Sequence, residues 1–208
     1  MGDASAGPLM AGYFEAAGDG AAIALDEVEI SILRSLAVQL LELIGPGGGP
    51  GGSDDPLDAL FAEGPDEPPD DPALARLFPD AYGEPGLPQD EETRRLSAEF
   101  RRFTEGDLRA RKREDLIALV RTLDAVVPQS GAAGSGGAVL TLKPEESRQW
   151  LGGLNDLRLA IAARLDIKDE DGTGELFELP DDDPNKPMVM AYFWLGGLQE
   201  SLVETLLS

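Results

Sequence analysis

The sequence predicts a mainly α fold: a helical bundle around a central buried helix, with a small two- or three-stranded β-sheet. Three observations predict it. Apolar residues recur at helical spacing in several long segments. Two short runs next to glycines read as strands. With 42% hydrophobic residues in 208, the chain can build one core, and residues 12–208 read as a single helical domain. The 25 glycines and 16 prolines gather in a few stretches, which read as loops between elements.

Residues 1–11 read as a flexible N-terminus. Residues 12–25 read as a hairpin, with Gly18-Asp19-Gly20 supplying the turn. Asp26 can cap the next helix, and Glu29 completes a capping box. From Val28 to Ile44 apolar residues cover most of the helix circumference, which predicts that this is the central helix. Gly45-Pro46 ends it. Residues 45–71 form a low-complexity insertion rich in Gly, Pro and acid, too apolar-poor to offset chain entropy. Within and after it, Leu57, Leu60 and Phe61, then Leu74, Leu77 and Phe78, read as single turns docked on the body.

Two helices are predicted next, Asp90–Phe103 and Glu105–Val127, with Thr104 capping the second. Residues 128–137 read as a flexible loop, and Val139–Leu142 as a strand that joins the hairpin. Pro144 suits the first position of a helix reaching about Leu165. An acidic loop leads to a last helix, Pro187–Leu207. The segment Trp150-Leu151-Gly152-Gly153-Leu154-Asn155-Asp156 is echoed by Trp194-Leu195-Gly196-Gly197-Leu198-Gln199-Glu200. Paired glycines allow close helix approach, so these two helices are predicted neighbours.

Forty acidic residues against 17 basic give a net charge of −23. Such a field repels phosphate backbones and anionic membranes and favours basic protein partners. The absence of Cys and His removes thiol nucleophiles, disulfides, histidine bases and the commonest zinc ligands. The expectation is a protein that is not an enzyme and carries no cofactor. The first basic residue is Arg34, so no charged leader precedes an apolar stretch. The longest uncharged apolar run, Met188–Leu198, falls short of the ~20 residues that span a bilayer. A cytoplasmic location is expected.

Candidate site residues come from polar groups on apolar stripes. Arg158 falls among Trp150, Leu154, Leu157, Ile161 and Leu165, and Asp156 falls outside that arc. Gln199 lies among Met188, Tyr192, Leu195, Leu202 and Leu206, and Lys112 among Leu108, Leu116, Leu119 and Leu123. Each needs a partner, because an unpaired buried polar group costs about 1–3 kcal/mol. Glu99, beside the Leu96-Phe100-Phe103 face, is the predicted carboxylate for Arg158. Arg158, Glu99, Gln199, Lys112, Asn155 and Tyr192 therefore read either as an internal polar network or as a site for a small anion or ligand.

Two further patterns carry less. Asp169, Asp171, Glu175 and Glu178 fall at calcium-loop spacing around Gly172, but Ile167 takes the first ligand position and no helix follows. A solvated acidic loop is the default, with no metal. Arg101, Arg102, Arg109, Arg111, Lys112 and Arg113 cluster at the Thr104–Asp107 junction, which invites a DNA-binding reading. Interleaved Glu99, Glu105, Asp107, Glu114 and Asp115 weigh against direct nucleic-acid contact, and the basic side chains are expected to pair with acidic neighbours one turn away or with the acidic loop.

Three blocks carry a resemblance: Leu96–Glu105, Trp150–Ala160 and Trp194–Gln199, together with Asp71–Tyr82. With them the chain, over about residues 12–207, resembles an actinobacterial family of domains of unknown function. That family includes AosR-type oxidative stress regulators, and its genes commonly sit beside those of a sulfur-carrier cysteine-synthesis pathway. The resemblance implies a mainly helical, non-enzymatic regulator acting through protein–protein contact, with a sigma factor or other basic protein surface as partner. Redox sensing in AosR-like members is attributed to a cysteine pair. This chain has no cysteine, so that part of the function does not carry over.

Overall fold

The computed structural model describes residues 12–46, 64–83, 87–126, 137–168, 176 and 178–207. Glu15–Ala17 (β1) and Gly20–Asp26 (β2) form the predicted hairpin, and Gly137–Leu142 (β3) pairs with the far side of β2. The sheet is antiparallel, with Ala21 opposite Leu142 and Ile23 opposite Leu140. Gly18 turns the hairpin at a φ of 65°, open to glycine without strain. Gly20 has no room for a side chain, since a Cβ there would lie 2.0 Å from the Leu142 carbonyl oxygen.

Helix α1 spans Glu27–Ile44 and opens with the predicted capping box. The Glu29 amide donates to Asp26 at 2.7 Å, and the Asp26 amide donates to Glu29 at 2.8 Å. Helix α2, Pro72–Leu77, is the docked turn read from Leu74, Leu77 and Phe78. Asp71 caps it by accepting from the Ala73 and Leu74 amides. The companion island Leu57, Leu60 and Phe61 lies outside the described residues, as do residues 1–11 and 128–136. At the end of the predicted insertion, the Gly64 amide donates to the Arg102 carbonyl at 3.0 Å.

The two helices expected around Thr104 are one. Helix α3 runs unbroken from Glu91 to Ala125, 35 residues or about 50 Å. The Thr104 hydroxyl donates to the Phe100 carbonyl at 2.9 Å instead of capping a new start. Arg101–Glu105 and Glu105–Arg109 contacts, each one turn apart, bridge the supposed break. No helix-turn-helix junction exists there. Helix α4, Pro144–Arg164, begins with Pro144 in its first turn, and the Glu146 carboxylate accepts from the Lys143 amide at 2.8 Å. Helix α5 spans Lys186–Leu207.

The bundle is organised around a central helix, but that helix is α4 and not the Asp26–Ile44 segment. Ser147, Trp150, Gly153, Leu154, Asp156, Leu157, Ile161 and Ala162 of α4 are all buried, on more than one face. They meet Leu116 and Leu119 of α3, Leu195, Leu198 and Leu202 of α5, Leu77 of α2, and the sheet. Each fully buried leucine among them contributes roughly 1.5–3 kcal/mol. Trp150 anchors the centre: its ring stands edge-on to Phe14 at 5.8 Å, and its indole N–H donates to Thr122 at 2.7 Å. The Phe14 amide donates to Ser201 Oγ at 3.1 Å, tying the hairpin to α5. By contrast, α1 buries only Leu33, Ala37, Leu40 and Ile44 and leaves Val28 and Ile32 exposed.

The repeated segments are neighbours, as predicted, on α4 and α5. Their glycines make room for different things. A Cβ on Gly152 would lie 2.5 Å from Asp115 Oδ2 of α3, whereas one on Gly196 would lie 3.4 Å from Arg158 Nε of α4. Trp150 is fully buried and Trp194 only partly so. No helix among the described residues is long and apolar enough to cross a membrane.

Candidate functional site

The predicted network divides into separate places. Arg158 does not meet Glu99. Glu99 is exposed on the outer half of α3, where Leu96, Phe100 and Phe103 also face solvent, Phe103 at 71%. The expectation that this face is buried fails because only the later half of α3, with Leu116, Leu119 and Leu123, enters the core. Lys112 is also apart from Arg158. Its Nζ lies 2.6 Å from Asp156 Oδ1 in the seam between α3 and α4. Asp156, read as lying outside the core arc, is buried because α4 is enclosed on several sides.

Burial pushes the Asp156 carboxyl up, and the hydrogen bond and charge of Lys112 pull it back. Beside it, Asp115 is pushed up to about 6, first by burial. Arg111 opposes that rise, and the charges of Asp156 and Glu114 add to it. Gly152 supplies the space that Asp115 occupies.

A second buried ionic group draws on the basic cluster around Thr104, whose arginines pair with an acidic neighbour one turn away as expected. Arg101 is 4% exposed and bridges Glu105 on its own helix, Asp80 at 2.8 Å, and the Phe78 carbonyl at 3.0 Å. Arg109 pairs with Glu105, stacks over the Phe78 ring at 4.3 Å, and donates to the Ile44 carbonyl. Arg113 donates to the Leu41 and Gly45 carbonyls at the end of α1. These cations hold α1 and the segment after α2 against α3, so most of the basic cluster is engaged internally. The i, i+4 spacing of Arg101, Glu105 and Arg109 was the signal available.

Arg158, Gln199, Asn155 and Tyr192 do come together. Arg158 donates to Gln199 Oε1 and to the Tyr192 hydroxyl, each at 3.4 Å, and its guanidinium lies 4.9 Å from the Tyr192 ring centroid. Gln199 in turn donates to Asn155 Oδ1 at 3.4 Å. Among the described residues Arg158 forms no ion pair, and its buried Nε has no hydrogen-bond partner. Arg158 lines a cavity of about 170 Å³ with Asn155 and Tyr192, joined by Arg76 of α2 and by Lys168. Of the calcium-loop candidates, Asp169, Asp171 and Glu175 lie outside the described residues, and Glu178 is exposed.

On the opposite side of α4 lies a larger feature, an open apolar groove of about 1130 Å³ between α1, α4 and α5. Ile32, Leu36 and Leu43 of α1 form one wall, and Met188, Met190 and Trp194 of α5 the other, over a floor of Leu157 and Ile161. Ile32 is 41% exposed and Met190 54%. Glu29 and Glu42 stand on its margin, and the one cation there among the described residues, Arg164, is already paired with Asp71 at 3.0 Å. The apolar circumference of α1, read as burial, is in part the wall of this groove.

Residues 10–206 match a protein family described as a domain of unknown function (DUF2017). The chain is 33% identical over 144 residues to the oxidative stress regulator AosR of Mycobacterium tuberculosis, and equally to that of Mycobacterium bovis. The aligned part is 67% of this chain and 60% of each relative, so the chain spans about 60% of the length of these curated relatives. These matches bear out the resemblance carried by the Leu96, Trp150 and Trp194 blocks. No solved structure matches.

Proposed function

The chain belongs to the DUF2017 family, and from that membership we propose that it is a non-enzymatic regulator that works by holding a basic amphipathic helix of a partner protein. Similarity to an oxidative stress regulator supports the regulatory role. The observation that carries the docking reading is the groove between α1, α4 and α5, with exposed Ile32, Met188 and Met190 under a margin of Glu29 and Glu42. Apolar patches of this kind mark interaction sites, and an amphipathic helix is the usual occupant of such a groove. The net charge of −23 favours a basic partner, and a sigma factor surface is the partner we infer. With no cysteine in the chain, the signal that controls binding acts without thiol chemistry of these residues.

Purified protein titrated with the host's purified sigma factors tests this. Wild type should bind one of them, and Ile32→Asp and Met190→Asp should each weaken that binding at least tenfold. Both positions are exposed, so the variants should keep the wild-type unfolding midpoint. Binding unaffected by both substitutions removes the groove from the reading. Retention of duplex DNA by the protein alone, released by salt, would favour a DNA-binding regulator instead.

A further inference from the structure

We propose that the cavity at Arg158 is a binding site for a compact tetrahedral oxyanion, of the size and charge of phosphate or sulfate. Three cationic side chains, Arg76, Arg158 and Lys168, line it from three different parts of the chain, and no carboxylate lines it among the described residues. In a chain with 40 acidic and 17 basic residues, that local balance runs against the whole. The nearest ionic commitments are made elsewhere. Asp71 pairs with Arg164 and caps α2, and Asp166 meets Lys168 only at an exposed 3.6 Å.

Arg158 itself is poised and not neutralised. An arginine keeps its charge in any protein environment, and a part-buried guanidinium without an anion is costly. Gln199 and the Tyr192 hydroxyl meet it at 3.4 Å, the long end of hydrogen bonding, and neither carries charge. Its Nε packs against Gly196 with no acceptor among the described residues. The Tyr192 ring lies against the guanidinium at 4.9 Å and holds its plane. This is an oriented fork of donors of the kind that takes two oxygens of an oxyanion at once. Asn155 and the Tyr192 hydroxyl offer further polar contacts from the wall. The cavity, about 170 Å³ against about 1130 Å³ for the apolar groove, is small and has room for one tetrahedral anion beside the Arg158 fork. The evidence for the site and its test do not rest on the partner reading, because the cavity and the groove open on different sides of α4.

The test is thermal unfolding of the protein in inorganic phosphate, in sulfate and in chloride at matched ionic strength, with calorimetric titration of phosphate. Phosphate and sulfate stabilise most proteins by exclusion, so the comparison with variants decides. Expected for wild type is a midpoint increase over chloride that saturates with phosphate concentration. Arg158→Met should abolish the saturating part. Arg76→Gln, at an exposed position, should leave the midpoint in chloride unchanged and weaken phosphate binding at least fivefold. That second variant decides the matter if Arg158→Met does not fold. No saturating increase in wild type, or the same phosphate affinity in Arg76→Gln and in any folded Arg158→Met, overturns the site.

Discussion

Lys112 and Asp156 form a direct ion pair across the α3–α4 seam, Nζ to Oδ1 at 2.6 Å, with both side chains largely out of water. Removing one partner strands the other, which costs about 3–5 kcal/mol when the site is buried. Lys112→Met should therefore destabilise strongly at pH 8. The Asp156 carboxyl is already raised by burial, and losing Lys112 raises it further. A raised carboxyl favours folding while protonated and loses that benefit as pH rises through its folded-state value. The penalty of Lys112→Met should shrink on acidification toward pH 5. Urea unfolding at the two pH values checks this, and a pH-independent penalty would assign the loss to packing.

Asp115, pushed up to about 6, gives a second pH dependence with a defined window. Its protonated form suits the folded state, so its contribution is complete below about pH 4 and is lost as pH rises through 6. A shift of this size corresponds to about 3 kcal/mol, and partial exposure of the carboxylate reduces it to about 1–2. Asp115→Asn should stabilise the protein by that amount at pH 8 and by little at pH 4. The measurement is the difference between variant and wild type across pH 4–8.

Gly152 and Gly106 should respond oppositely to alanine. In an ordinary helix interior, glycine to alanine gains about 1 kcal/mol. At Gly106 of α3 nothing lies within 4 Å of the added Cβ, so Gly106→Ala should stabilise by about that much. At Gly152 the new carbon would lie 2.5 Å from Asp115 Oδ2 and must displace that carboxylate from the seam. Gly152→Ala should destabilise, and Gly152→Ala in an Asp115→Ala background should do so less. Unfolding free energies of the four proteins give the coupling directly.

Glu105 accepts from Arg101 and Arg109 together. Glu105→Gln leaves Arg101 with Asp80 and the Phe78 carbonyl. A loss of about 2–3 kcal/mol is expected, below the full cost of a broken buried pair because Asp80 remains. Limited proteolysis should show faster cleavage between Phe78 and Gly83, the strap that Arg101 holds.

Elements with a local physical signature could be read from the sequence: the glycine turn of the hairpin, the Asp26–Glu29 box, Pro144 at a helix start, and the glycine pairs that bring α4 and α5 together. Thr104-x-x-Asp107 carried the same kind of signature and misled, because the Arg101–Glu105–Arg109 ladder and the Thr104 back-bond to Phe100 satisfy the helix through that point. Which apolar face is buried is a tertiary fact. The outer half of α3 and the groove side of α1 present apolar residues, Phe103 and Ile32 among them, that stay largely exposed. Of the side chains around Arg158, Gln199 and Tyr192 followed from helical spacing within α5, whereas Arg76 and Lys168 lie on other segments and gave no such signal. The expected pairing of Arg158 with Glu99 failed, because spacing within one helix says nothing about where another helix ends its packing.

The cavity at Arg158 and the apolar groove have two walls in common. Arg158, Leu159 and Ala162 of α4 face the first, and Leu157, Ala160 and Ile161 the second; on α5, Tyr192 faces the first while Met190, Ala191 and Trp194 face the second. A rotation of either helix about its own axis therefore reshapes both spaces at once. Thermodynamic reciprocity then sets a strict condition: if an occupant of one changes the affinity of the other by some factor, the second changes the first by the same factor. Where that factor differs from one, a partner helix seated in the groove reports, through its own dissociation constant, on the anion concentration around the protein.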